Sequence, residues 1–312
     1  VTFSGLAEAV SRRGGEDAFA SAVTDAISMA VTRAGRDFEV NFLRSDGTGK
    51  LADVSAVVSS NTVVSVSDAR PFIEQQSVVF LDNNTGLRAA GPVTVLARDI
   101  SAGTITVSSA VTVNTSHGAY KRGEQSEISA PADITALGLP AIVNNTGTIY
   151  NLSRTTFPTL QSSVVSAGNT ALDESLLRRI RRRLLVQTAV GTVDQFVMIS
   201  NYEQYDRYTE ISLGFRRFND MRLDLGAQQE MTTFEGRPWL LSWAADTSIV
   251  YFINLGSIER GVVRPLSIDE RVNMAWLPGS DAFTTLIKYY GENVCRQLNQ
   301  TSKITDLTAP AF

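Results

Sequence analysis

The sequence predicts an α+β protein, and three observations carry that prediction. Helical apolar spacing runs over Glu16–Leu43, an all-β stretch covers Leu51–Arg122, and helical and strand-like segments alternate from Leu172 onward. The chain has 312 residues, 43% hydrophobic and 19% charged, enough for one large core or two to three smaller ones. No stretch is dominated by proline, glutamine or like charge, so the composition is that of an ordered chain.

The helix rests on Phe19, Val23, Ile27, Val31, Ala34, Phe38 and Phe42, which recur every three or four residues. Gly14-Gly15 before it and Asp46-Gly47-Thr48-Gly49 after it bound about 28 residues, or about 42 Å at ~1.5 Å per residue. The β stretch consists of short Val/Thr/Ser runs between polar turns. Ala56–Val58 and Thr62–Val66 flank Ser59-Ser60-Asn61, and Val78–Leu81 and Val93–Ala97 flank Asp82–Gly86, so each pair reads as a hairpin. With Thr104–Val107 added, a small barrel or sandwich of five or six strands is the economical expectation.

Glu124–Asn169 is rich in Pro, Gly, Asn and Ser and reads as extended segments laid over a scaffold. Beyond it, Leu172–Thr188 and Tyr202–Leu213 are predicted helices, and Gln195–Ser200, Trp239–Trp243 and Ile249–Asn254 predicted strands. Arg271–Trp276 and Phe283–Tyr290 read as long β segments, and Lys303–Leu307 closes the chain. The first residues, Val1–Gly5, read as the middle of a strand, with something upstream expected to be missing.

Little in the chain suggests catalysis. The one histidine, His117, lies in a polar turn without a triad or metal-site pattern around it, and an exposed turn histidine is expected. Cys295 is the only cysteine and reads as a half-buried structural thiol. Asp173-Glu174 and Asp269-Glu270 are adjacent pairs that do not face one another on a helix, and Asp173 reads as a cap. Asp46–Lys50 lacks the spacing of a phosphate loop. A net charge of −4 disfavours a dedicated nucleic-acid binder but suits a container whose wall must not grip its contents. No run approaches the roughly 18–20 apolar residues of a membrane span. The one dense charge run is Arg178, Arg179, Arg181, Arg182 and Arg183, opposite Leu177, Ile180 and Leu184 on the same helix. These arginines are the candidate inter-subunit contacts, since guanidinium groups pair bidentately with carboxylates; occasional contact with packaged phosphates is the lesser reading.

The order of parts resembles the major capsid proteins of tailed double-stranded DNA bacteriophages. A long helix runs into Asp46-Gly47-Thr48-Gly49 and an inserted β module follows. Gly236-Arg237-Pro238 then leads through Trp239–Trp243 to Ile249–Asn254, and Leu277–Phe283, Tyr289-Tyr290-Gly291 and Lys303–Leu307 close the chain. The resemblance implies a Hong Kong 97-like fold of the branch with an inserted β domain. It assigns 1–50 to the P domain, 51–122 to the insertion, 123–169 to an extended P-domain segment, 170–264 to the A domain and 265–312 to return strands. It also implies a strand pair in the A domain and an insertion seated on the P domain.

The implied partners are copies of the chain in hexamers and pentamers, with cement, portal and scaffolding proteins and non-specifically packaged double-stranded DNA. No cofactor, metal, membrane or catalytic residue is implied. The implied location is the virion, after assembly in the host cytoplasm. The family usually carries an N-terminal arm and most of an extended loop before the long helix, of which only the last strand, Val1–Gly5, is expected here, and Lys50, Lys121, Lys288 and Lys303 match no cross-link position. The alternatives are an encapsulin-like compartment shell, an α/β hydrolase or glycosidase with a β accessory domain, and a viral fibre or adhesin.

Overall fold

The computed structural model describes residues 2–4, 16–122, 136–188, 196–215, 233–234, 237–269, 275–276, 279 and 282–308. Predictions touching Val1, Gly5, Gly14-Gly15, Glu124–Thr135, Gln195, Gly236, Arg271–Met274, Leu277-Pro278 and Ser280-Asp281 lie outside them. The protein is α+β, with few helices and several sheets. Its contacts divide it into two units, Val1–Glu39 with Arg260–Asn293, and Val40–Glu259 with Val294–Phe312. The boundary falls inside the predicted long helix, which spans Glu16–Arg44.

In the larger unit, six antiparallel strands form one sheet in the order Lys50–Asp53, His117–Lys121, Ser77–Asp82, Arg88–Asp99, Thr104–Val113, Val58–Ser65. The two outer strands meet: Val54 bridges Val66, Ser55 N–H donates to Ser65 O at 3.0 Å, and Ser67 N–H donates to Asp53 O at 2.8 Å. The sheet therefore closes into a six-stranded barrel, which removes its edges. Period-two alternation fills it, with Val64 and Val66, Val78 and Phe80, Val93 and Val95, and Ile105 and Val107 all buried.

The expected turn at Ser59-Ser60-Asn61 is not there. These residues lie within one strand, Val58–Ser65, whose pairing with Thr104–Val113 is irregular between Val58 and Asn61. Ser60, at φ 50°, supplies the bulge, and the polar run is tolerated because it faces outward. The second hairpin, Ser77–Asp82 with Arg88–Asp99, is as read, and Asp82 Oδ1 accepts the N–H groups of Asn84 and Thr85 in its turn.

The same unit contains a mixed sheet in the order Ser163–Thr170, Thr301–Leu307, Val250–Asn254, Phe196–Ser200, Arg237–Leu241, Thr233–Phe234. Its two central strands are buried along their whole length, so both faces are covered. On one face Met198, Val250, Phe252 and Ile304 pack with Leu177, Ile180 and Leu184 of the helix Glu174–Thr188, and with Trp239. On the other, Val197, Ile199, Tyr251 and Ile253 pack with Val40 and Leu43 of the long helix, and with Leu139, Ile142 and Leu298.

Two strand expectations are corrected here. The strands at Trp239 and Ile249 do not pair with each other; each pairs with Phe196–Ser200, which lies between them. Ser163–Thr170, read as part of an extended segment, is an edge strand of this sheet, parallel to Thr301–Leu307.

One close approach requires glycine. Gly138 N–H donates to Ser45 O at 3.1 Å, and a Cβ at Gly138 would lie 2.5 Å from the carbonyl oxygens of both Asn41 and Ser45. Nearby, Arg44 joins three parts of the unit. Its Nε donates to Ala244 O at 2.6 Å, and its guanidinium pairs with Asp246 at 3.2 Å and with Asp68 of the barrel. Arg70 of the barrel pairs with Glu203 on the helix Tyr202–Phe215.

In the smaller unit, Thr2–Ser4 runs antiparallel to Ala282–Thr284, which also pairs with Ala275–Trp276. A separate two-stranded sheet joins Ile258–Ile268 to Ile287–Cys295. The predicted long segment over Phe283–Tyr290 is broken at Thr285-Leu286, and Ile258–Ile268 was not anticipated as a strand. Pro265 and the charges at Glu259, Arg260 and Arg264 interrupt its apolar alternation, which is tolerated because most of its side chains are exposed.

Candidate functional site

Asp173 caps the arginine-bearing helix. Its Oδ1 accepts from Glu174 N–H at 2.8 Å and its Oδ2 from Ser175 Oγ at 2.6 Å, and these bonds, the hydroxyl first, hold its carboxyl below the usual range. Leu177, Ile180 and Leu184 are buried on the sheet, which leaves Arg178, Arg179, Arg181, Arg182 and Arg183 exposed around the rest of the helix.

The structure does not gather the five arginines into one site. Arg178 pairs with Glu174 at 2.6 Å within the helix. Arg181 stands beside Arg237 at an apolar pocket lined by Phe196, Phe234 and Phe252. Arg182 and Arg183 line a separate cleft of about 420 Å³, where Arg183 donates to Val164 O at 3.3 Å. Arg179 lines neither.

The smaller unit presents a different surface. Of its described apolar side chains none is buried: Met29 is 72% exposed, Val263 90% and Tyr290 54%. From Ile27 to Phe38 every member of the seam read from the sequence is partly or fully exposed. Order comes instead from specific pairs. Arg260 stacks at 4.7 Å over Phe38 and 4.9 Å over Tyr289, whose rings lie 4.6 Å apart, and Lys288 pairs with Asp269 at 2.5 Å.

The groups with chemical potential are otherwise engaged. His117 opens a strand instead of lying in a free turn, and its Nδ1 accepts from Asn114 N–H at 3.0 Å. Cys295 is fully buried, beyond the half-burial expected, and burial pushes its thiol pKa up, which works against a reactive thiolate. Lys50 pairs with Asp53 at 2.6 Å. Glu270 lies outside the described residues, among which no group of three or more His, Cys, Asp or Glu side chains could hold a metal and no helix is long and apolar enough to cross a membrane.

No family model matches the chain, and no curated protein does. Among solved structures it is similar to the cyanophage A-1(L) capsid asymmetric unit, at 16% identity over 56% of this chain and 61% of that one, with a TM-score of 0.43. It is also similar to a structure of Gordonia phage Cozz, at 15% identity over 55% and 58% of the chains, with a TM-score of 0.33. A third similarity is to a virus-like particle from Pyrococcus furiosus, at 10% identity over 46% and 56%, with a TM-score of 0.28. In each case the chain spans little more than half the length of the protein it matches.

Proposed function

We propose that this chain is a shell-building subunit, and within that class the major capsid protein of a tailed double-stranded DNA bacteriophage. The fold assigned is Hong Kong 97-like with an inserted β barrel. One observation carries the reading: the unit formed by Val1–Glu39 and Arg260–Asn293 buries no apolar side chain among its described residues, yet holds a long helix and a two-stranded sheet. An isolated strand pair is marginal in water, and an unburied helical seam gains little from propensity alone. Both are stabilised when neighbouring copies cover them, as in a closed shell, where repeated modest interfaces sum to a stable particle.

In this proposal the P domain comprises 1–50 and 123–169, the insertion 51–122, the A domain 170–264 and the return strands 265–312. Copies form the hexamers and pentamers of an icosahedral shell that encloses the genome in the virion after assembly in the host cytoplasm. Cement, portal and scaffolding proteins are its further partners. Arg178, Arg179, Arg181, Arg182 and Arg183 are proposed to meet acidic groups of neighbouring copies, and Arg179, which is exposed and lines neither the apolar pocket nor the cleft, is the clearest of them. Electron microscopy of particles purified from the producing culture, with mass spectrometry of their main polypeptide, tests the reading. Icosahedral shells holding DNA support it. Shells holding protein cargo turn it into a compartment protein, and a chain found only as monomers or small oligomers ends it.

A further inference from the structure

The cleft beside Arg182 and Arg183 has a chemistry that subunit contact does not explain. Arg182, Arg183 and Gln187 form one wall, and Asn145, Gln161 and Ser163 lie opposite, along the free edge of the strand Ser163–Thr170. None of its lining residues is a carboxylate. Its volume of about 420 Å³ is in the range of a small-ligand site, roughly 300–1,000 Å³.

Two buried cations stand behind the strand wall. Arg154 is 1% exposed; it donates to Ala141 O at 2.7 Å and Ile142 O at 2.9 Å, and its own carbonyl accepts from Gln161 Nε2 at 2.9 Å. Lys303 is 8% exposed and lies in register beside the lining residue Val164. Neither has a carboxylate partner among the described residues. Burial first, and then the like charge of Arg154, depress the Lys303 pKa to about 8. A wall of donors backed by uncompensated positive charge selects an anion, and paired guanidinium groups favour one with several oxygens in a fork.

We propose that this cleft is a binding site for a small phosphate-bearing anion, of inorganic pyrophosphate or nucleotide size, held by Arg182 and Arg183 with Gln187, Asn145 and Gln161 as neutral donors. The site stands on the cleft and not on the shell reading, and at Arg182 and Arg183 it competes with the subunit-contact role proposed above, which would occupy the same guanidinium groups. Calorimetric titration of the full chain with inorganic pyrophosphate at neutral pH tests it. The expected result is saturable binding at one site per chain. Affinity falls about tenfold or more in the Arg182→Gln/Arg183→Gln double variant and in Gln187→Glu, which adds a negative charge to the wall, and is unchanged in Arg179→Gln on the same helix outside the cleft. All these side chains are exposed, so circular dichroism should show the fold intact. A second titration with a nucleoside diphosphate separates the sources: equal affinity assigns the site to an inorganic anion, and tighter binding to a nucleotide. Absence of saturable pyrophosphate binding, or equal weakening by Arg179→Gln, overturns the proposal and leaves a diffuse basic surface.

Discussion

The two units differ in what holds them together. Among its described residues the larger, Val40–Glu259 with Val294–Phe312, contains an apolar core inside the barrel, one on each face of the mixed sheet and a small cluster of Val79, Leu81 and Tyr120. The smaller buries only Asp269, Thr285 and Asn293 among its described residues, and its contacts include paired strands, the Arg260 stack and the Lys288–Asp269 pair. The first covers its apolar side chains within the chain, and the second, in the reading proposed above, would have them covered by neighbouring copies. The same sequence rules apply to both, but one set of apolar side chains finds its cover within the chain.

Four experiments break or sharpen this contrast, taken in order of their expected effect on the dispersed chain. Phe252→Ala empties a site in the central strand where the ring is 4% exposed, and the expected loss is about 3–5 kcal/mol, read from chemical denaturation. Arg44→Met strips Asp68, Asp246 and two carbonyls of their shared cation, at an expected cost of about 3 kcal/mol. A loss below about 1 kcal/mol would show that the barrel and the sheet hold together without it.

Lys303 comes next. Its folded pKa of about 8 lies below the ordinary 10.5, so the unfolded chain binds the proton more tightly and stability rises as pH climbs from about 8 to 10.5. Lys303→Met should abolish that rise and stabilise the protein at pH 7, on the order of 1–3 kcal/mol. A wild-type stability that stays flat across that window contradicts the assignment.

Val263→Asp in the smaller unit has the smallest expected effect. It should alter the dispersed chain by no more than about 0.5 kcal/mol, because the side chain is 90% exposed, yet it should prevent particle formation. Hydrogen exchange checks the same point: amides of 260–268 should exchange faster than those of 250–254 in dispersed chains and become protected on assembly. Equal protection in both segments before assembly would remove the distinction between the units.

Much of the fold was legible because its signals are local. The helix Glu16–Arg44, the hairpin of Ser77–Asp82 with Arg88–Asp99 and the cap at Asp173 each follow from spacing or from one side chain. What the sequence hid is non-local or masked by polarity. Neither the interposition of Phe196–Ser200 between Arg237–Leu241 and Val250–Asn254 nor the barrel's closure at Val54–Val66 leaves a trace in spacing. Ile258–Ile268 lacks alternation because its faces are mostly exposed, although Val262, Val263, Leu266 and Ile268 offered a β-rich signal around Pro265. Of the site, the arginine run was plain. Its division among an internal pair, an apolar pocket and a separate cleft was not, since the cleft's far wall comes from 145 and 161–164.

The barrel's first and last strands lie side by side, with Lys50 paired to Tyr120. The chain therefore leaves and rejoins the rest of the molecule at nearly one place, about 5 Å apart for paired strands. Such a module can be gained, lost or exchanged by a single splice in the gene without rethreading what surrounds it. The Lys50–Lys121 junction is accordingly where a foreign domain could be grafted in its place.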